Sequence, residues 1–158
     1  MKNKKTLNYI LCFSILVLIC AYFIEHILGF KACNLCLIER IPYLGAIILI
    51  LIILIFKRCK KLILFIILIL FSIGTMVSFY HFGIEQGIFS ESLVCELGKS
   101  KSDISANDLL KELQNQSISC KDVKFKILGF SLASINTLIS LTLSVIILKI
   151  LINYEKNK

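Results

Sequence analysis

Four long apolar runs constrain this chain more than any other feature of its sequence. Each has about 20 residues or more, the length that an α-helix needs to cross a hydrocarbon core about 30 Å thick. The runs are continuous rather than alternating, and they are too long for barrel strands of about 10 residues. We therefore predict an all-α membrane protein whose 158 residues form one domain, a four-transmembrane-helix bundle. The expected helices are Leu7–Leu28, Leu35–Phe56, Leu62–Phe82 and Ile127–Ile152.

The basic residues predict how these helices are oriented. The formal net charge is +8. Most of the basic residues outside the segment 83–126 lie at the two termini and in the link between the second and third helices, and the positive-inside rule assigns these positions to the cytoplasm. The charge is therefore a topology signal and gives no reason to expect a nucleic-acid partner. The basic residues at these three positions are Lys2, Lys4 and Lys5, then Lys57, Arg58, Lys60 and Lys61, then Lys149, Lys156 and Lys158.

Two links are expected on the outer side of the membrane. The first, Gly29–Leu35, is short, and the second, residues 83–126, is the only sizeable segment outside the helices. Within it, Ser105–Asp108 is a capping-box pattern, and Leu109, Leu110 and Leu113 follow at helical spacing. The pattern predicts a short amphipathic helix on the membrane surface, or a plain solvated turn of helix.

Pro42 leaves the start of the second helix open. A helix that begins at Pro42 suits proline's preference for the first turn, but it leaves too few residues to cross the membrane before Lys57. A helix that begins near Leu35 is long enough, and Pro42 must then kink it.

The cysteines sort by this topology into an outer set and the rest. In an oxidising compartment, paired cysteines normally form disulfides. The outer side therefore holds one tight Cys-x-x-Cys pair and one widely spaced pair. The outer cysteines are Cys33, Cys36, Cys95 and Cys120, and the others are Cys12, Cys20 and Cys59.

Three interpretations of the outer cysteines compete. As structural disulfides, the spaced pair would stabilise the loop by about 3 kcal/mol, but the tight pair would constrain almost nothing. As a zinc site, the four thiolates have the right ligand count, but no histidine accompanies them. As a reactive disulfide, Cys33 and Cys36 would form a thiolate when reduced, and a helix N-terminus and Arg40, four residues after Cys36, would stabilise it. Two disulfides on one face could then exchange by thiolate attack, and we favour this redox interpretation.

A redox relay needs an electron acceptor. The sequence has no haem motif or flavin fingerprint, and a soluble nicotinamide would not reach the outer membrane edge. A lipid-soluble quinone would reach it, and Arg40 could donate a hydrogen bond to a quinone oxygen and stabilise developing negative charge. His81, at the outer end of the third helix, is a second candidate for that pocket.

Three segments resemble the disulfide bond formation protein B (DsbB) family, membrane oxidases that reoxidise the dithiol oxidase DsbA. The most specific is Cys33-x-x-Cys36-x-x-x-Arg40, and the others are Tyr80–Gly87 and Leu128–Asn136. The resemblance covers nearly the whole chain. It implies a thiol:quinone oxidoreductase of the bacterial inner membrane, with periplasmic redox loops, a ubiquinone or menaquinone cofactor, and a DsbA-like dithiol oxidase as partner.

The resemblance also implies a role for each outer cysteine. Cys95 and Cys120 would take electrons from the partner, with Cys95 forming the mixed disulfide. Cys33 and Cys36 would reoxidise that pair, and Cys36 would pass the electrons to the quinone. The departure is the basic surroundings of Cys120, which leave room for a specialised thioredoxin-like partner in place of the general one.

The implied quinone pocket consists of Arg40, His81 and Glu85.

Two alternatives remain beside this function. Quinone oxidoreductases of the vitamin K epoxide reductase type are also four-helix bundles with a Cys-x-x-Cys, but their loop cysteines precede that motif, whereas here they follow it. A non-enzymatic membrane scaffold with structural disulfides is the alternative from another class.

Overall fold

The computed structural model describes residues 2–30, 32–56, 60–90, 120, 126–127 and 130–156. This part of the chain contains four stretches that are long, helical and apolar enough to span a membrane, which confirms the predicted all-α bundle. The predicted surface helix, Cys59 and Cys95 lie outside the described residues. In chain order the elements are α1 Lys2–His26, α2 Asn34–Ile38, α3 Ile41–Phe56, α4 Lys60–Glu85, β1 Lys126–Ile127, β2 Phe130–Ser131 and α5 Leu132–Lys156.

The second membrane span is divided between α2 and α3 by a turn at Glu39 and Arg40. The amide of Glu39 still donates to the carbonyl of Leu35 (3.0 Å), but that of Arg40 donates to Leu37, only three residues back (3.2 Å). Pro42 then occupies the first turn of α3, where its missing N–H leaves no helical hydrogen bond unmade. Both of the helix starts expected from the sequence are therefore present: α2 begins close to Leu35, and α3 begins next to Pro42.

The last helix, α5, begins at Leu132 rather than at the expected Ile127. The short strands β1 and β2 pair antiparallel immediately before it. Ser131 then caps the helix, because its Oγ accepts a hydrogen bond from the amide of Ser134 at 3.2 Å. A serine cap of this kind satisfies a backbone donor that the first turn of a helix leaves unpaired, so the boundary follows the cap and not the apolar run.

The helices pack around two hydrophobic clusters at opposite ends of the bundle. The larger extends from the end where α1 and α4 begin towards the middle, and the smaller lies where these helices finish. Large apolar side chains such as Leu16, Ile48 and Phe79 cover the outside and are more than half exposed. An apolar surface of this extent suits lipid and not water. The buried residues of the smaller cluster are Cys33, Leu35, Ile84 and Cys120.

The contact between α3 and α4 depends on Gly74. A Cβ at this position would lie 2.8 Å from Cγ of Pro42, and a proline ring cannot rotate away. We expect Gly74→Ala to lower the free energy of unfolding by about 1–3 kcal/mol, measured as an earlier unfolding midpoint in mixed detergent micelles. Gly45→Ala is the matched control, because its Cβ would meet only the tip of Leu70 (2.9 Å). An equal loss in both variants would contradict the importance of the Pro42 contact.

Candidate functional site

The Cys-x-x-Cys pair lies at the start of α2, where the second membrane span begins. Cys33 is the N-cap residue of α2, and its Sγ accepts a hydrogen bond from the amide of Cys36 at 3.3 Å. The two cysteines are free thiols whose sulfur atoms lie 2.6 Å apart. The first turn of α2 therefore holds two sulfur atoms side by side at the end of the bundle, with Cys33 buried.

His81 reaches this pair from α4. Its Nε2 lies 3.6 Å from Sγ of Cys33, and its Nδ1 lies 2.8 Å from Oε1 of Glu39. The side chain of His81 is 3% exposed and that of Glu39 is 8% exposed, so water competes little for these contacts. Because Glu39 occupies one ring nitrogen, the other faces the sulfur. The sequence placed His81 only at the depth of Arg40, whereas the structure brings it into contact with the cysteines.

Glu39 is a residue of the site that the sequence analysis did not single out. Its Oε2 accepts a hydrogen bond from Nδ2 of Asn136 at 2.9 Å, so both carboxylate oxygens have partners on other elements. The available signal was an acidic residue inside an apolar run, three residues after Cys36. Ionisable residues in such segments are candidates for function by default.

Asn136 connects the site to the interior of the bundle. Its Nδ2 lies 2.7 Å from Oγ of Ser78, and its Oδ1 accepts a hydrogen bond from the hydroxyl of Tyr43 at 2.6 Å. The Tyr43 hydroxyl also lies 3.2 Å from Oγ of Ser140. We call this set the polar chain; it joins α3, α4 and α5, and it consists of Cys33, His81, Glu39, Asn136, Ser78, Tyr43 and Ser140.

Arg40 pairs with Glu25 at the end of α1. Nη1 of Arg40 lies 2.6 Å from Oε2 of Glu25, and the two side chains are 22% and 24% exposed. The spacing of Arg40 and Cys36 suggests that they share a helix face, but the contact that the structure shows for Arg40 is with α1. The guanidinium is thus held where two spans meet at one end of the bundle.

The remaining site residues lie around His81 and Cys33. Glu85 is one helical turn after His81, and its Oε1 lies 3.8 Å from Nε2 of that histidine. Cys120 is disulfide-bonded, and it packs with Cys33 in the smaller hydrophobic cluster. Of the predicted site residues, the structure brings together Cys33, Cys36, His81, Glu85 and Cys120.

The surroundings of Cys33 favour its thiolate. The hydrogen bond with the Cys36 thiol has the largest effect, burial opposes it, and the hydrogen bond and charge of His81 add to it. Together they lower the pKa of Cys33 well below its usual range. A thiolate is the form of cysteine that exchanges disulfides or binds a metal.

Comparison with known proteins identifies the family to which this site belongs. The model of the family "Disulfide bond formation protein DsbB" matches residues 3–150. The chain belongs to the DsbB family. A curated relative, "Uncharacterized protein RP370" of Rickettsia prowazekii (strain Madrid E), is 34% identical over 157 residues, which cover 98% of this chain and 91% of that one. No solved structure matches the chain.

Membership in the DsbB family confirms the resemblance carried by the cysteine motif. It makes the chain an oxidoreductase of disulfide bond formation. The four spans make it a multi-pass membrane protein. This membership argues against the alternative of a non-enzymatic membrane scaffold.

Proposed function

We propose that this DsbB-family protein reoxidises a DsbA-like dithiol oxidase in the periplasm and passes the electrons to a membrane quinone. The observation that best supports the proposal is the burial of Cys120, a disulfide-bonded residue, in the same cluster as Cys33. Disulfide exchange requires one sulfur atom to attack another directly. The smaller hydrophobic cluster is a place where these two cysteines can meet.

The first half of the proposed relay takes electrons from the partner. A thiolate of the partner attacks Cys95 of a Cys95–Cys120 disulfide, forms a mixed disulfide and releases the Cys120 thiolate. That thiolate attacks Cys33 of a Cys33–Cys36 disulfide, so that a Cys33–Cys120 bond forms and Cys36 leaves as a thiolate. Each step exchanges one S–S bond for another.

The second half restores the loop disulfide. The second thiol of the partner attacks its own mixed disulfide and releases Cys95, which then attacks Cys120 and displaces Cys33. The partner has become a disulfide, and Cys33 and Cys36 have become a dithiol. A low pKa makes Cys33 a good leaving group in the last step, because leaving-group thiols of lower pKa depart faster.

His81 and Glu39 would handle the protons of this dithiol. The dithiol releases two electrons and two protons when it forms a disulfide. His81 Nε2, at 3.6 Å from Cys33 Sγ, can take a proton from the thiol. Glu39, at 2.8 Å from Nδ1, stabilises the ring that then carries the charge.

The quinone pocket would consist of Arg40 with His81 and Glu85. A bound quinone supplies an acceptor for two electrons and two protons, the same number that the dithiol releases. The residues present fit such a molecule, because Arg40 lies at the boundary of two spans and its near neighbours in the sequence, Leu37 and Ile41, have exposed apolar side chains. A lipid-soluble ring can therefore approach along the membrane, and Arg40 offers it hydrogen-bond donors.

A quinone-reduction assay tests the proposal. Purified full-length protein would be mixed with a reduced thioredoxin-like dithiol oxidase and with ubiquinone or menaquinone. We expect the quinone absorbance to fall while one disulfide appears in the partner for each quinone reduced. A Cys120→Ser variant should leave the quinone oxidised, because it cannot form the loop disulfide that the partner thiolate attacks. Quinone that stays oxidised with the wild-type protein would contradict the proposal and favour a scaffold.

Arg40→Gln is expected to raise the apparent KM for quinone roughly tenfold or more, because a hydrogen bond from a charged group contributes about 1.5–3 kcal/mol. Glu25→Gln is the matched variant. It removes the carboxylate that holds the guanidinium but leaves the donors in place, so we expect a smaller increase in the same direction. Steady-state kinetics at varied quinone concentration measures both. An unchanged KM in Arg40→Gln would exclude Arg40 from the pocket.

We also propose that the protein lies in the bacterial inner membrane with both termini in the cytoplasm and the redox loops in the periplasm. The distribution of basic residues supports this orientation. A reporter enzyme that is active only in the periplasm should be active when fused after Ser90 and inactive when fused after Lys156. The reverse pattern would overturn the orientation.

A further inference from the structure

A buried carboxylate oxygen at the end of α4 has no hydrogen-bond partner. The side chain of Glu85 is only 7% exposed. Its carboxyl group accepts a hydrogen bond from the side chain of Ser131, but its Oε2 is among the described buried atoms without a partner. Burying such an atom costs about 1–3 kcal/mol or more unless something satisfies it. The other oxygen, Oε1, lies 3.8 Å from Nε2 of His81. The orphaned oxygen therefore belongs to a residue that borders the cysteine site.

Three other ligand atoms meet at His81, and the carboxylate of Glu85 would have to turn towards them, because its Oε1 is 3.8 Å from Nε2 of that histidine. Sγ of Cys33, Sγ of Cys36 and Nε2 of His81 all lie within 4.8 Å of one another. The distance of 3.6 Å between Cys33 Sγ and His81 Nε2 matches the roughly 3.6 Å between sulfur and nitrogen ligands of a tetrahedral zinc ion. The two sulfur atoms, 2.6 Å apart as thiols, would have to separate to roughly 3.8 Å.

The histidine is already oriented as a metal ligand. Glu39 holds Nδ1 at 2.8 Å, which leaves Nε2 on the side of the sulfur atoms. A carboxylate on the far nitrogen of a histidine is the usual support of a zinc-binding imidazole. Asn136 in turn holds the other oxygen of Glu39 at 2.9 Å. The sequence argument against a metal site relied on the lack of a histidine near the cysteines. The structure corrects that argument, because it places His81 beside Cys33.

We propose that the reduced protein binds one zinc ion between Cys33, Cys36, His81 and Glu85. Two thiolates, one imidazole and one carboxylate form a closed tetrahedral set of the kind that Zn²⁺ prefers. The set differs from the four-thiolate site weighed from the sequence, because it uses neither Cys95 nor Cys120.

Zinc at this site would act as an inhibitor of the relay. The two thiolates that bind the ion are the two that form the Cys33–Cys36 disulfide, so zinc and the disulfide exclude each other. The ion binds the reduced pair and blocks its reoxidation. This inhibitory consequence rests on the proposed function, whereas binding of the ion does not.

Cobalt binding to the purified, reduced full-length protein tests the site, with zinc as competitor. We expect one Co²⁺ per chain, with thiolate-to-cobalt charge-transfer absorption that zinc removes, and no such binding by the oxidised protein. Glu39→Gln should weaken binding about 10–100-fold, as loss of an outer carboxylate does at other zinc sites. Glu85→Gln should weaken it and change the cobalt spectrum, because a ligand is lost.

The controls separate this site from other metal sites. Cys12→Ser and Cys20→Ser, at free and exposed cysteines of α1, should leave the cobalt affinity unchanged. Cys120→Ser should also leave it unchanged, and a loss there would overturn the proposal in favour of the four-thiolate site. Equal binding by oxidised protein, or by the Cys33→Ser variant, would overturn it as well. Metal binding without any effect on quinone reduction would contradict the inhibition alone.

Discussion

Cys33→Ser and Cys36→Ser are each expected to abolish electron transfer to quinone while the protein still inserts and folds. A disulfide needs both sulfur atoms, and a serine hydroxyl can neither form one nor leave as a thiolate. The loss should be complete and not partial, because the other described cysteine near this end of α2, Cys120, is itself disulfide-bonded. The rate of quinone reduction with a reduced partner measures the effect, and the unfolding midpoint in detergent checks the fold.

The two variants should differ in what they trap. Cys36→Ser leaves the Cys33 thiolate, which can attack Cys120 of a Cys95–Cys120 disulfide and release Cys95 as a thiolate. A Cys33–Cys120 disulfide should therefore accumulate and appear in peptide mapping without reductant. Cys33→Ser should give no such bond, because Cys120 would have lost its partner. The double variant Cys12→Ser, Cys20→Ser is the control and should keep the wild-type rate. Full turnover by either single variant would exclude the relay.

Substitution of His81 is expected to raise the pH midpoint at which Cys33 ionises by more than about one unit, or about 1.4 kcal/mol. The hydrogen bond and charge of His81 help to lower the pKa of Cys33, second to the hydrogen bond with Cys36. Removing them shifts the pKa upwards, so the thiolate is lost at a higher pH than in the wild type. Thiolate absorbance of the reduced protein against pH measures the midpoint.

The choice of replacement makes this experiment specific. The amide of Asn can take the place of Nδ1 and keep the contact with Glu39, whereas that of Gln can take the place of Nε2 and keep the contact with Cys33. We therefore expect a larger shift in His81→Asn than in His81→Gln. His26→Asn is the control, because His26 is exposed and stacks on Tyr22. A midpoint unchanged in all three would show that His81 does not act on Cys33.

An alkylation rate at a single pH would not replace the midpoint. Thiolates of higher pKa are intrinsically more nucleophilic, with a Brønsted coefficient of about 0.4–0.5. A higher pKa therefore lowers the fraction of thiolate but speeds its attack, and the two effects nearly cancel at some pH values. Only the full pH profile separates them.

The sequence was sufficient for the spans and insufficient for the contacts between them. Apolar length predicts four crossings because the thickness of the bilayer sets a minimum. It says nothing about how far each helix is rotated about its axis, and that rotation decides that Arg40 contacts Glu25 and that Glu39 contacts His81. The predicted helix boundaries were also inexact, because hydropathy does not report local backbone effects. Ser131 caps the start of α5, and Pro42 favours a new first turn because it lacks an N–H.

For the cysteine motif, too, the sequence predicted the kind of chemistry but not the contacts. Its spacing and its expected position at the outer edge of a span predicted a reactive pair, and the family comparison confirms an oxidoreductase of disulfide bond formation. The approach of His81 from α4 could not be predicted, because it depends on the packing of two helices far apart in sequence. The contact of Glu39 with His81 could not be predicted for the same reason, because an acidic residue inside an apolar run does not reveal which helix supplies its partner.

The polar chain from Cys33 to Ser140 has a consequence for assembly. In lipid, apolar helix faces are nearly interchangeable as neighbours, because lipid tails are as apolar as leucine side chains. Hydrogen bonds through Asn136 join α3, α4 and α5 in one rotational setting, and a helix turned by one position would lose them. Asn136 also holds Glu39, which in turn holds His81, so the residue that fixes the relative rotation of these three helices also supports the histidine beside Cys33.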